Sequence, residues 1–220
     1  MGKLRIDLNI ALVPDSVLAA ELIAASMKFA DHYPAIVRLG DASARLSLAP
    51  HLTLYQVPVP LASLGELDAG LRRIARSARA LTLDCAGLAY NADEASLEAQ
   101  TESPVELARL QDDVIALANP MRGGVLLERD PAGNAVSAAW ETPGVLGDNI
   151  RETGYGEVGE LFRPHDTLNW FEAGTRVDES AMENMVNAGA LSGRYPVLAL
   201  FTLGPYGTCP QLLSRYELGN

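Results

Sequence analysis

The 220-residue chain carries 48% hydrophobic and 20% charged residues, which excludes a disordered polymer and suits one large domain or two small lobes. Its net charge of −11 excludes a general affinity for duplex nucleic acid, which needs a basic face, but not the binding of a small phosphate compound. No apolar run approaches the roughly 20 residues that cross a bilayer, so no membrane partner is expected.

The segment 5–13 alternates in its first half and is rich in β-formers, which predicts a strand ended by Pro14. Asp15 or Ser16 then caps a helix to about residue 31, with Leu18, Leu22, Ile23 and Met27 at helical spacing. Residues 35–39 predict a short strand. Residues 46–57 predict another, interrupted at its start by Pro50 and ended by Pro58 and Pro60. Residues 61–78 put Leu64, Leu67, Leu71 and Ile74 on one helix face. Residues 81–89 and 96–101 read as strands joined by a polar turn around Asn91 and Asp93. Ser103 is placed to cap a third helix with Pro104 in its first turn and Leu107, Leu110, Val114 and Leu117 facing inward. The Gly- and Pro-rich stretch 119–160 reads as a crossover, with strands at 125–128 and 136–140. A strand at 164–171, a helix at about 179–190 and strands at 195–203 and 211–216 complete the chain. This order predicts an α+β fold of antiparallel sheets with outer helices rather than a doubly wound sheet.

The second half echoes the first. Pro50-His51-Leu52-Thr53-Leu54 matches Pro164-His165-Asp166-Thr167-Leu168, and each is followed by a loop, a helix and a strand. Such a duplication predicts two lobes about a pseudo-two-fold axis, one bilobal unit over the chain, with a cleft where the matching strands face each other.

The chain has three histidines, and two of them stand in this motif. Side chains alternate along a strand, so His51 and Thr53 share a face, as do His165 and Thr167. Two imidazoles flanking a phosphate can act as acid and base near neutral pH. Either histidine can be the acid. The threonine hydroxyls can hold the non-bridging oxygens. Strict alternation also turns Tyr55 and Asn169 into the cleft, Tyr55 to stack on a base or sugar and Asn169 to hydrogen-bond; plain structural roles fit both equally well.

The two motifs resemble the paired His-x-Thr/Ser signatures of the 2H phosphoesterase superfamily, most closely its bacterial branch of 2′-5′ RNA ligases and RNA cyclic phosphodiesterases. Residues 50–55 and 164–170 carry the resemblance. The opening strand ending Ala11-Leu12-Val13-Pro14, and Gly154-Tyr155-Gly156 upstream of Phe162-Arg163-Pro164-His165, follow it more loosely. The resemblance implies a bilobal α+β fold with the active cleft between lobes. It implies action on 2′,3′-cyclic phosphates or 2′-5′ phosphodiesters of a small nucleotide or an RNA end, without a cofactor. It assigns acid and base to His51 and His165, and phosphate contacts to Thr53 and Thr167. Asp166 departs from the apolar residue common at its position and is expected to face away from the cleft.

Other readings are plainer. His32 sits at a helix end, where it serves the helix terminus. A zinc site needs third and fourth ligands at workable spacing, which the sequence does not offer, so no metal is expected. Arg38, Arg163, Arg176 and Arg194 lie near the motifs, either solvated or assisting a phosphate. The loop 204–209 is a turn that can also bring Tyr206 toward a ligand. Cys85 and Cys209 read as two free thiols, with a bridge between them as the alternative. With no leader apparent in residues 1–9, they suit a reducing cytoplasm. A sensor that binds nucleotide without turnover is the alternative function, but a pure binder has no need of two acid–base groups.

Overall fold

The computed structural model describes residues 4–40 and 47–219; Leu46, the start of one predicted strand, and the first three residues of the stretch read for a leader lie outside them. In chain order the elements are β1 (Arg5–Val13), α1 (Ser16–Ala30), β2 (Ala35–Leu39), β3 (Ser47–Leu48), β4 (Leu52–Pro60), α2 (Leu64–Ser77), β5 (Leu81–Leu83), β6 (Cys85–Asn91), β7 (Ser96–Thr101) and α3 (Val105–Arg122). There follow α4 (Val136–Trp140), α5 (Val145–Thr153), β8 (His165–Phe171), α6 (Glu179–Met185), β9 (Gly193–Tyr195), β10 (Val197–Thr202) and β11 (Leu212–Glu217).

The architecture is α+β, as the pattern predicts. β11, β10, β1 and β4 form one antiparallel run, with α2 and α3 packed on it. β8 pairs β7, which pairs β6, and it also pairs β2, with α1 and α6 covering this second group. β5 and β9 form a separate antiparallel pair. One buried cluster runs through both groups, from Leu8, Ile10 and Val57 to Leu97, Leu168 and Phe171. Each such side chain contributes roughly 1.5–3 kcal/mol by leaving water.

Local chemistry sets the element ends. Asp15 caps α1 by accepting the Val17 and Leu18 N–H groups at 3.1 and 2.9 Å. Leu18, Leu22, Ala25 and Phe29 then fall on one stripe and are buried, which leaves Met27, predicted inward, exposed on the other side. Pro58 and Pro60 do not end β4 but lie within it, opposite Asp7 and Arg5 of β1. β4 has no registered partner there on its other edge, so their missing N–H groups cost no ladder bond.

Four further expectations differ from the structure. The strand predicted over 81–89 changes partners at Asp84: β5 pairs β9, while β6 pairs β7. Pro104, extended, is itself the N-cap of α3, so Ser103 lies one residue too far out to cap. The crossover forms helices α4 and α5 instead of strands. Its 125–128 segment has no strand partner among the described residues, and Ser137-Ala138-Ala139 favours a helix. Leu127, Val136 and Ile150 make a small apolar cluster beneath it. Also, α6 stops at Met185 and a short 3-10 turn over Ala188–Leu191 replaces its predicted end. Among the described residues no helix is long and apolar enough to cross a membrane.

Candidate active site

β4 and β8 are registered at one pair, Leu52 opposite Asp166. Both of these side chains are buried, at 0% and 1% exposure. Alternation therefore turns their neighbours His51, Thr53, His165 and Thr167 to the opposite face, and all four line one cavity of about 490 Å³. Each imidazole is held in the same way. The Nδ1–H of His51 donates to the Ala49 carbonyl, and that of His165 to the Arg163 carbonyl, both at 2.7 Å. This fixes the neutral tautomer with its lone pair on Nε2.

The strands break alternation just after each threonine. In the β1–β4 ladder Ala11 pairs Thr53 and Ile10 pairs Tyr55, so Leu54 is an extra, bulged residue. In the β7–β8 ladder Glu98 pairs Thr167 and Leu97 pairs Asn169, so Leu168 is bulged in the matching place. A polar side chain on a packed helix takes up each freed carbonyl: Gln111 Nε2 of α3 donates to Leu54 O at 3.0 Å, and Ser26 Oγ of α1 donates to Leu168 O at 2.8 Å.

These bulges reverse the facing of the next residues. Tyr55 and Asn169, expected in the cleft, are both fully buried on the helix side. The Tyr55 hydroxyl donates to the Thr153 carbonyl, and Asn169 Nδ2 donates to Ser26 O at 3.3 Å. Gln56 and Trp170 line the cavity instead.

The loop and crossover supply the rest of the wall. Tyr206 and Gly207 line it, with the Tyr206 ring 5.3 Å from that of Trp170. Tyr206 holds φ +59, a left-handed conformation that costs a bulky side chain energy and is sustained only by its surroundings. Gly154, Tyr155 and Gly156 line it too. Buried Arg122 anchors that segment by donating to the Arg151 and Glu152 carbonyls at the C-terminal end of α5, at 3.2 and 3.0 Å.

No protein-family model matches the chain, and no curated protein matches its sequence. Solved structures do match it. The crystal structure of E. coli LigT complexed with phosphate covers all of both chains at TM-score 0.55 and 16% identity. E. coli LigT complexed with 3′-AMP covers 99% of this chain and 100% of its own at TM-score 0.57 and 16% identity. A crystal structure of a phosphoesterase does the same at TM-score 0.59 and 15% identity. The chain has the LigT fold.

Within the LigT fold of this chain the two histidines sit in unlike surroundings. Burial lowers the pKa of His51, and the nearby charge of His165 lowers it further, against the Ala49 bond. Asn9 Nδ2 lies 3.3 Å from His51 Nε2 and donates to Thr53 Oγ1 at 3.1 Å. The Cys209 thiol stands 3.6 Å from the same nitrogen, with burial pushing it up to about 12. For His165, burial pulls downward, but the carboxylates of Glu98 and Glu157 and the Arg163 carbonyl outweigh it, and the pKa rises. Glu98 Oε1 lies 3.9 Å from His165 Nε2. Arg163 pairs with Glu157 at 3.0 Å and Glu98 at 3.6 Å, so its charge is engaged by carboxylates.

Arg38, Arg163, Arg176 and Arg194 are not among the cavity's lining residues. Among the described residues no group of three or more His, Cys, Asp or Glu side chains is arranged to hold a metal ion. Cys85 and Cys209 are free thiols, and His32 is exposed, with Nδ1 2.8 Å from the Lys28 carbonyl. The residues that the sequence does not single out are Asn9, Gln56, Glu94, Glu98 and Trp170. Bulge positions carry no clear local signal, although polar Ser26 and Gln111 on otherwise apolar helix faces hint at a carbonyl needing a partner.

Proposed function

We propose that this chain is a 2H phosphoesterase that hydrolyses a phosphodiester of a small nucleotide or RNA end, a 2′,3′-cyclic phosphate foremost and a 2′-5′ linkage second. The carrying observation is that both imidazoles, each with Nδ1–H held by the carbonyl two residues before it, line one cavity together with Thr53 and Thr167.

The unlike environments support one assignment of roles. His51, with lowered pKa, is the neutral base; His165, with raised pKa, is the protonated acid. This order keeps most molecules in the working protonation state between the two pKa values. His51 Nε2 takes a proton from water as the oxygen attacks phosphorus in line. The bond from phosphorus to one ribose oxygen breaks, and His165 Nε2–H protonates that oxygen as it leaves. A phosphomonoester results, and solvent restores the two protons. Thr53 and Thr167 donate to the non-bridging oxygens, whose charge grows in the transition state.

The same reading makes the chain one bilobal unit of two related halves. The matched bulges at Leu54 and Leu168, the matched helix-borne donors, and the pairing of β5 with β9 support it. The test is turnover of 2′,3′-cyclic AMP by purified protein in excess chelator. Formation of a phosphomonoester is expected; saturable binding without product would favour the sensor instead.

A further inference from the structure

The cavity that holds the histidines is acidic. Glu94, Glu98, Asp130 and Glu157 all line it, and no Lys or Arg does among the described residues. Arg163 answers Glu98 and Glu157 from outside the lining, and Asp130 is bonded within its own turn to Asn134. Among the described residues Glu94 has no ion pair or side-chain hydrogen bond; burial and the charges of Glu98, Glu157 and Asp130 raise its pKa, and the charge of Arg163 opposes them.

Two side chains of the same wall carry buried, unpaired polar atoms. Gln56 is 3% exposed and Trp170 5%, yet Gln56 Oε1 and Trp170 Nε1 have no hydrogen-bond partner. Gln56 and Trp170 occupy matching positions beyond the two bulges. Buried polar atoms without partners are costly. An apolar wall of Leu127, Val136 and Ile150 and the Trp170–Tyr206 ring pair bound the rest. Aromatic faces and carboxylates together favour a cation.

From these features, and resting on the phosphodiesterase reading, we infer that the site selects a phosphodiester bearing a single negative charge with a neutral or, better, amine-bearing remainder, with Glu94 as the counter-ion that rejects a second phosphate. The reacting phosphate meets protonated His165. For a second anion the charged side chains that line the cavity, beyond the histidines, are among the described residues all carboxylates, and such repulsion is strong in a partly desolvated site. A 5′-phosphorylated nucleotide end is therefore a poor substrate, and a small 5′-unphosphorylated or cationic one is good.

The test uses three substrates differing at one position: 2′,3′-cyclic adenosine phosphates with a 5′-hydroxyl, a 5′-phosphate or a 5′-ammonium group. The expected kcat/KM order is ammonium, hydroxyl, phosphate, with steps of about fivefold or more at low ionic strength. Added salt compresses the series. Glu94→Gln narrows the gap between phosphate and hydroxyl. Equal rates, or a preference for the 5′-phosphate, overturn the charge inference and leave the phosphodiesterase reading standing. Absence of turnover on all three contradicts that reading instead. Calorimetric binding of the three corresponding 3′-monophosphates then still decides the charge order, tightest for ammonium if the inference holds and flat or reversed if it does not.

Discussion

Leu52 and Asp166 face each other at the one registered pair between β4 and β8, and both histidine motifs are built around that pair. Each has a histidine before it, a threonine after it and a bulge beyond. Because the central residues are buried, the flanking four side chains have no room on the core side and must line the cavity. The apolar member, Leu52, belongs there. The acidic member, Asp166, is kept by a hydrogen bond from the Tyr195 hydroxyl and by a pKa raised to about 6 through burial.

That burial has a stability consequence. Asp166 binds its proton more tightly folded than unfolded, so its contribution is present in full below the model-peptide value of 3.8 and is lost as pH rises through about 6. Asp166→Asn carries no charge to bury. Relative to wild type its stability is expected to improve from about pH 4 to a little above pH 6 and then level off, by about 3 kcal/mol in all. A pH-independent difference between the two proteins would show that Asp166 ionises freely.

The histidine environments set the pH–rate profile. With His51 below 6.5 and His165 above it, kcat/KM is expected to fall on the acid side as His51 protonates and on the alkaline side as His165 loses its proton. Glu98 is the strongest of the groups that raise His165. Glu98→Gln should therefore move the alkaline limb to lower pH and leave the acid limb in place. An alkaline limb that does not move would separate Glu98 from the acid.

Tyr55 is predicted to matter for stability rather than for substrate. Its hydroxyl bonds the Thr153 carbonyl behind the cavity wall. Tyr55→Phe should lower unfolding free energy by about 1 kcal/mol, measured by denaturant melts, with KM for a cyclic nucleotide unchanged. A raised KM at unchanged stability would put the ring in contact with ligand.

Much of this site is legible in the sequence, for definite reasons. His51, Thr53, His165 and Thr167 are legible because a repeated motif on a strand has a fixed period of two. The strands outside the 119–160 crossover, apart from the change of partner at Asp84, and the first three helices are legible because their apolar spacing matches what the core buries. Tyr55 and Asn169 are misplaced by the same rule, since one bulged residue after each threonine inverts the alternation and substitutes Gln56 and Trp170. Glu98 and Asn9 come from neighbouring strands, and only the sheet register brings them beside the imidazoles. At 136–153 the Ser137-Ala138-Ala139 run favours a helix, and among the described residues no strand lies beside the stretch to pair with it, which only the tertiary structure shows.

The central claim is that the two imidazoles work on one phosphorus atom. It is tested most directly by a double-mutant cycle on 2′,3′-cyclic AMP hydrolysis in excess chelator, with His51→Ala, His165→Ala and the double variant, each checked for native melting. Each single change is expected to lower kcat by at least about 10²-fold, and the double change to cost little more than either alone, because acid and base act as a unit. Full activity in either single variant, or losses that simply multiply, would contradict it.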